Sequence, residues 1–123
     1  MARILIAEDD DTVRGFLVRV LGGDGHDLTE TADGAAALDA LNRAGGKFDL
    51  LLSDVKMPVM DGIALALATG RSHPDIPIML MTGYADQRER AHGLDALVHD
   101  VLAKPFSIEQ IKGAVREALV QRH

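Results

Sequence analysis

The sequence predicts a doubly wound α/β domain. Short apolar runs alternate with stretches of helical periodicity, and turn residues separate most of them. Polar residues close the first, third, fourth and fifth runs, and in an open parallel sheet those positions gather at one crevice.

Each element has a local reason. Ile4–Ala7 is short and rich in branched residues, so it reads as a buried strand. Asp10 or Asp11 caps a helix whose Val13, Phe16, Leu17, Val20 and Leu21 recur at helical spacing, and Gly22-Gly23 ends it. A weaker strand covers about Asp27–Thr31. Asp33-Gly34 opens a second helix carrying Ala37, Leu38 and Leu41, which Gly45-Gly46 stops. Leu50-Leu51-Leu52 is the clearest strand; Ser53-Asp54 and a turn with Pro58 and Gly62 follow it. A helix over about Ile63–Arg71 leads to a strand at Ile78–Met81, introduced by Pro74 and Pro77 and closed by Thr82-Gly83. Asp86–Gly93 reads as a short polar helix and Val98–Ala103 as the fifth strand. Ile108–Val120 is the last helix, with Ile111, Val115 and Leu119 on one face.

Composition narrows the function. At 123 residues, 47 % hydrophobic and 26 % charged, the chain reads as one domain over residues 1–123 that builds its core without staples. The absence of cysteine excludes a disulfide framework and a thiolate metal site. A net charge of −6 argues against a nucleic-acid backbone as partner, and three Phe, one Tyr and no Trp leave little for base stacking. The opening apolar run is too short for a signal peptide, and no stretch reaches membrane-spanning length, so the expected location is cytoplasmic with no membrane partner.

The residues at the strand ends are Glu8-Asp9, Asp54, Thr82 and Lys104. Three carboxylates in one crevice repel one another, and a hard divalent cation relieves that repulsion. Mg2+ takes oxygen ligands and keeps some waters, which suits Asp9 and Asp54 as direct ligands with Glu8 holding a metal-bound water. A carboxylate also attacks phosphorus to form an acyl phosphate. The charge that spreads over the phosphoryl oxygens needs a cation and a donor, which Lys104 and Thr82 supply, while Gly83 leaves room for close approach. Alone, each piece has an ordinary reading: helix-start acids at Glu8 to Asp11, a turn residue at Asp54, a solvated lysine before Pro105. Their conjunction at four strand ends does not.

These residues resemble the receiver domain of bacterial response regulators from about Arg3 to Leu119. The resemblance is carried by Ile4–Asp10, by Leu50–Pro58 with Met60-Asp61-Gly62, by Met81-Thr82-Gly83 and by Lys104-Pro105-Phe106, and Arg14 fits the family's usual first helix. It implies a flavodoxin-like, CheY-like five-stranded parallel sheet in order 2-1-3-4-5. It implies a phosphoacceptor at Asp54 and an acidic pair at Glu8 and Asp9. The Lys56 backbone carbonyl would be a further metal ligand, Thr82 and Lys104 would contact the phosphoryl group, and the Lys104-Pro105 bond would be cis. The implied phosphodonor is a histidine kinase or histidine phosphotransfer protein, with small acyl phosphates as substitutes. The implied effector reads the face of the Asp86–Gly93 helix, the fifth strand and the last helix, through a monomer or a phosphorylation-dependent dimer.

One position departs from the family. Many members carry an aromatic residue three places before the lysine, where this chain has Val101, so the usual threonine–aromatic coupling is not expected here. Lys56 and Tyr84 fall where the family tunes hydrolysis of the acyl phosphate, and they are expected to slow it. The chain's end just after the last helix favours a stand-alone regulator. The Ala7–Asp10 opening and Met81–Tyr84 resemble the alphaproteobacterial cell-cycle kind.

Other functions fit less well. An aspartyl-phosphate phosphatase needs an acid two residues after its nucleophile, where this chain has Lys56, so a turnover enzyme is not expected. A flavin or nucleotide binder lacks its phosphate loop, and Glu8-Asp9 would repel the phosphate unless a metal intervened. A degenerate scaffold is at odds with the full acidic set and Lys104. His26, His73, His92, His99 and His123 show no mutual ligand spacing and read as surface or loop residues. Met57, Met60, Met79 and Met81 read as packing, and Phe106 as packed beneath the last helix.

Overall fold

The computed structural model describes residues 2–83, 93, 94 and 96–121, and the structural statements that follow concern these. Five strands, β1 (Arg3–Ala7), β2 (Asp27–Thr31), β3 (Leu50–Asp54), β4 (Ile78–Thr82) and β5 (Asp100–Ala103), form one sheet in the order β2-β1-β3-β4-β5. Every pairing is parallel. The helices are α1 (Asp11–Gly23), α2 (Gly34–Arg43), α3 (Gly62–Ser72) and α4 (Ile108–Gln121). This is the predicted doubly wound sheet. The predicted helix at Asp86–Gly93 lies outside the described residues except for Gly93, as do Tyr84, His92 and His123.

Parallel strands covered on both faces read as near-continuous apolar runs, and β3 and β4 are buried throughout, with polar residues only at their carboxyl ends. Alternation divides their side chains between two layers. Ile4, Ile6, Leu50, Leu52, Met79 and Met81 pack with Leu17 and Leu21 of α1 and Ile111 and Val115 of α4. Leu5, Ala7, Leu51, Ile78 and Leu80 pack with α2 and α3 on the other face. Phe106 joins the first layer, its ring 6.2 Å from that of Phe16. Met57, Met79 and Met81 are buried as expected, and Met60 packs at the edge of the second layer.

All four helices are capped from their own sequence. The carboxylates of Asp10, Asp33 and Asp61 accept N–H bonds from the first turns of α1, α2 and α3. Ser107 and Gln110 exchange bonds across the start of α4, with Ser107 N–H donating to Gln110 Oε1 at 2.7 Å and Gln110 N–H to Ser107 Oγ at 3.1 Å. Gly45 and Gly46, at φ 62° and 75°, turn the chain out of α2 through the left-handed region where glycine is the natural residue.

The fifth strand begins later than its apolar pattern suggests. Val98 is buried, yet it precedes β5, and the His99 N–H donates to the Ile78 carbonyl. Burial there comes from a loop tucked against the second layer, which an apolar residue alone does not distinguish from a strand. His26, His73 and His99 lie half-buried outside the regular elements. His26 Nδ1 accepts the Ala2 N–H, and His73 Nε2 lies 3.0 Å from Asn42 Oδ1.

Candidate functional site

The sheet register brings four strand ends together. Ala7 pairs with Ser53, Asp54 with Met81, and Thr82 with Ala103, so Glu8, Asp54, Thr82 and Lys104 come at or just beyond the carboxyl ends of β1, β3, β4 and β5. Beside them opens a crevice of about 830 Å³, with Glu8, Asp9, Asp54, Lys56, Gly83 and Lys104 in its wall. Thr82 is 1 % exposed and does not line the crevice; its carbonyl accepts the Lys104 N–H at 2.9 Å.

Lys104 reaches across the sheet to the acids. Its Nζ lies 2.7 Å from Glu8 Oε1 and 3.1 Å from Asp54 Oδ1. Glu8 is fully buried, Asp54 nearly so, and Asp9 is exposed. Burial pushes the Glu8 carboxyl up to about 7, helped by the Asp54 charge and opposed by Lys104. Burial also raises Asp54, again against the pull of Lys104. For Lys104 burial acts downward, but its carboxylate partners outweigh it and hold the ammonium above the ordinary lysine value. The lysine thus stays charged, while burial favours the protonated form of Glu8 most strongly.

The backbone around Asp54 is fixed from several sides. Ser53 Oγ donates to the Asp54 carbonyl at 2.9 Å, Val55 N–H to the Met81 carbonyl at 2.9 Å, and Gly62 N–H to the Val55 carbonyl at 2.7 Å. A Cβ on Gly62 would run into the Asp54 carbonyl, so α3 begins against the site with no side chain between. The Lys104-Pro105 peptide is cis.

A divalent cation fits the acids. One oxygen from each of Glu8, Asp9 and Asp54 lies within 4.8 Å of the others. Mg2+ holds oxygens at about 2.1 Å in an octahedron, which sets opposite ligands about 4 Å apart. The donors are all hard oxygens, and the Lys104 ammonium between Glu8 and Asp54 shows how strongly the group calls for positive charge. Lys56 borders the same crevice.

Several contributors escaped the sequence reading. Val13, Met57 and Pro58 supply apolar wall beside the acids. Arg14 NH1 donates to the Glu8 carbonyl at 2.7 Å, a contact that the sequence reading, which noted Arg14 only as fitting the first helix, did not foresee. No described helix is long and apolar enough to cross a membrane.

Known proteins share this architecture. The profile of the response regulator receiver domain matches residues 4–116. The response regulator receiver protein CpdR of Brucella abortus is 38 % identical over 98 % of each chain. The sensor kinase CckA of the same species is 37 % identical over 96 % of this chain, which spans only 12 % of that kinase's length. Among solved structures, the chemotaxis response regulator CheY4 of Vibrio cholerae superposes with a TM-score of 0.86 at 28 % identity, covering 97 % of this chain and 99 % of its own. The chain belongs to the response regulator receiver domain family of two-component signalling.

Proposed function

We propose that the domain accepts a phosphoryl group on Asp54 from a histidine kinase or histidine phosphotransfer protein, with Mg2+ bound beside it, and signals by changing the surface an effector protein reads. The observation that carries this reading is the convergence of Glu8, Asp9 and Asp54 on one crevice with Lys104 Nζ 3.1 Å from the Asp54 carboxylate. Asp9, Asp54 and the Lys56 backbone carbonyl would hold the ion, with Glu8 fixing its water. When bound, Mg2+ supplies charge against the phosphoryl oxygens.

In the transfer, an Asp54 carboxylate oxygen forms a bond to phosphorus as the donor's P–N bond breaks, and the imidazole leaves with that electron pair. Lys104 and the Thr82 hydroxyl then bind phosphoryl oxygens. Lys104 is the natural partner because it already pairs with Asp54 and is held charged. The acyl phosphate is lost slowly to water, so the domain is a signalling module and not a turnover enzyme. Lys56 and Tyr84 slow that loss.

Switching needs differential stabilisation. Converting a 1:99 population to 99:1 takes about 5.5 kcal/mol. Charge-assisted hydrogen bonds contribute about 1.5–3 kcal/mol each, so two or three new contacts to the phosphoryl group reach that scale. Val101 is half-buried against the layer of α2 and α3 and offers no ring to swing. The effector would read the surface from about Asp86 to Val120.

Incubation with a small acyl phosphate, with and without Mg2+, tests the reading by intact mass. One phosphoryl group is gained with Mg2+ and none by Asp54→Ala. A wild-type chain that gains nothing from the acyl phosphate and binds no beryllofluoride with Mg2+ would overturn it.

A further inference from the structure

Arg14 sits in the first turns of α1, beside but outside the wall of the crevice, and its side chain is only 19 % exposed. Its guanidinium serves three elements at once. NH1 donates to the Glu8 carbonyl at 2.7 Å, NH2 pairs with Asp11 at the start of α1, and Nε lies 3.5 Å from Glu30 Oε1 on β2. A planar fork with several fixed donors can do this; an ammonium cannot.

The Glu8 carbonyl belongs to the peptide that continues into Asp9. The other backbone group of Glu8, its N–H, donates to the Thr31 carbonyl at 3.0 Å, extending the β1–β2 ladder by one residue. Glu8 Oε2 accepts the Asp10 N–H at 3.1 Å. The turn from β1 to α1 is therefore tied at the Glu8 N–H, the Glu8 carbonyl and the Asp10 N–H, and the Glu8–Asp9 peptide is held through Arg14. That peptide sets the direction in which the Asp9 side chain leaves the backbone. Asp9 is the exposed member of the acidic trio, with no burial to hold it in place.

We infer that Arg14 is a positioning residue for the acidic pair: by holding the Glu8 carbonyl it aims the Asp9 carboxylate at the cation site beside Asp54. The inference rests on the Mg2+ reading given above and adds a residue to it. Glu30 is part of the same device, because it anchors the guanidinium from β2. Removing partners that orient metal ligands commonly lowers metal affinity 10- to 100-fold.

The test is Mg2+ binding by calorimetry, together with backbone amide NMR of the metal-free proteins, for wild type, Arg14→Met, Arg14→Lys and Glu30→Gln. Arg14→Met is expected to weaken Mg2+ binding by about tenfold or more and to shift the Asp9 and Asp10 amide signals before any metal is added. Arg14→Lys, which keeps one donor for the Glu8 carbonyl, recovers part of the affinity. Glu30→Gln, which leaves the arginine in place, gives a smaller loss in the same direction. Mg2+ affinity in Arg14→Met within twofold of wild type, or unmoved Asp9 and Asp10 amides, would overturn the inference. Wild-type protein that binds no Mg2+ would instead remove the metal reading, and the metal-free amide shifts would still decide whether Arg14 sets the turn.

Discussion

The two ends of the central strands use the same kinds of charged groups to opposite effect. At the amino end, Arg3 lies 3.9 Å from Asp27, with the side chains 47 % and 68 % exposed, and its guanidinium rests over the Phe48 ring at 4.8 Å. At the carboxyl end, Lys104 lies 2.7 Å from a Glu8 that is fully buried. Solvent screens the first pair, so it adds little to stability. The second is shielded, and its two carboxylates depend on the cation that reaches them. The fold places ordinary surface chemistry at one pole and a costly arrangement of charge at the other, and the proposed function draws on the costly arrangement.

Lys104→Met breaks this contrast most sharply. Glu8 and Asp54 lose their cation, and metal-free stability falls by on the order of 3 kcal/mol at about pH 8. The loss shrinks toward about pH 5, as the Glu8 carboxyl takes up a proton. Urea denaturation at the two pH values measures it, and equal losses at both would contradict the assignment.

Mg2+ affinity sharpens the comparison through pH. The folded Glu8 value of about 7 lies above the ordinary 4.5, so between those values the folded form binds more protons than the unfolded one. Metal-free stability therefore falls as pH rises from about 4.5 to about 7, and the raised Asp54 adds to the same trend. Glu8 must lose that proton to accept the metal-bound water, so Mg2+ affinity is expected to climb toward pH 7 by up to about tenfold per unit and then level off. Calorimetric titration across this range, with proton release at the lower pH, checks it.

Val59 gives a smaller effect in the opposite direction. It is 84 % exposed and has φ 70°, a conformation that suits glycine and strains a β-branched residue. The Met60 N–H closes this turn on the Pro58 carbonyl at 2.7 Å, in the loop that borders the crevice. Val59→Gly should stabilise the fold by about 1 kcal/mol in denaturant melts, because little burial is lost and strain is relieved. Smallest of all is Arg3→Met at the opposite pole, with a loss below about 1 kcal/mol.

Much of this was legible in the sequence because parallel strands buried on both faces leave continuous apolar runs, and Leu50–Leu52 and Ile78–Met81 are such runs. The caps at Asp10 and Asp33 were legible for a local reason, since each acts within its own turn, whereas the equivalent cap at Asp61 was not read. The acids were readable as strand-end residues once the sheet was assumed. What the sequence hid is long-range or conformational. Lys104 meets Glu8 across 96 residues of chain, and only the folded register shows that it bridges Glu8 and Asp54. Arg14 reads only as a residue of the family's usual first helix until the Glu8 carbonyl is seen beneath it. Nothing in the Pro58-Val59-Met60 string announces a positive φ at a valine. The start of β5 was misjudged because Val98 is buried without being paired.

The most direct test is to locate the phosphoryl group. After treatment with a small acyl phosphate and Mg2+, borohydride reduction converts an aspartyl phosphate to homoserine, which peptide mass mapping places in the chain. The account predicts conversion at position 54 alone, lost when Mg2+ is chelated. Conversion at position 9, or at position 54 without regard to Mg2+, would contradict it.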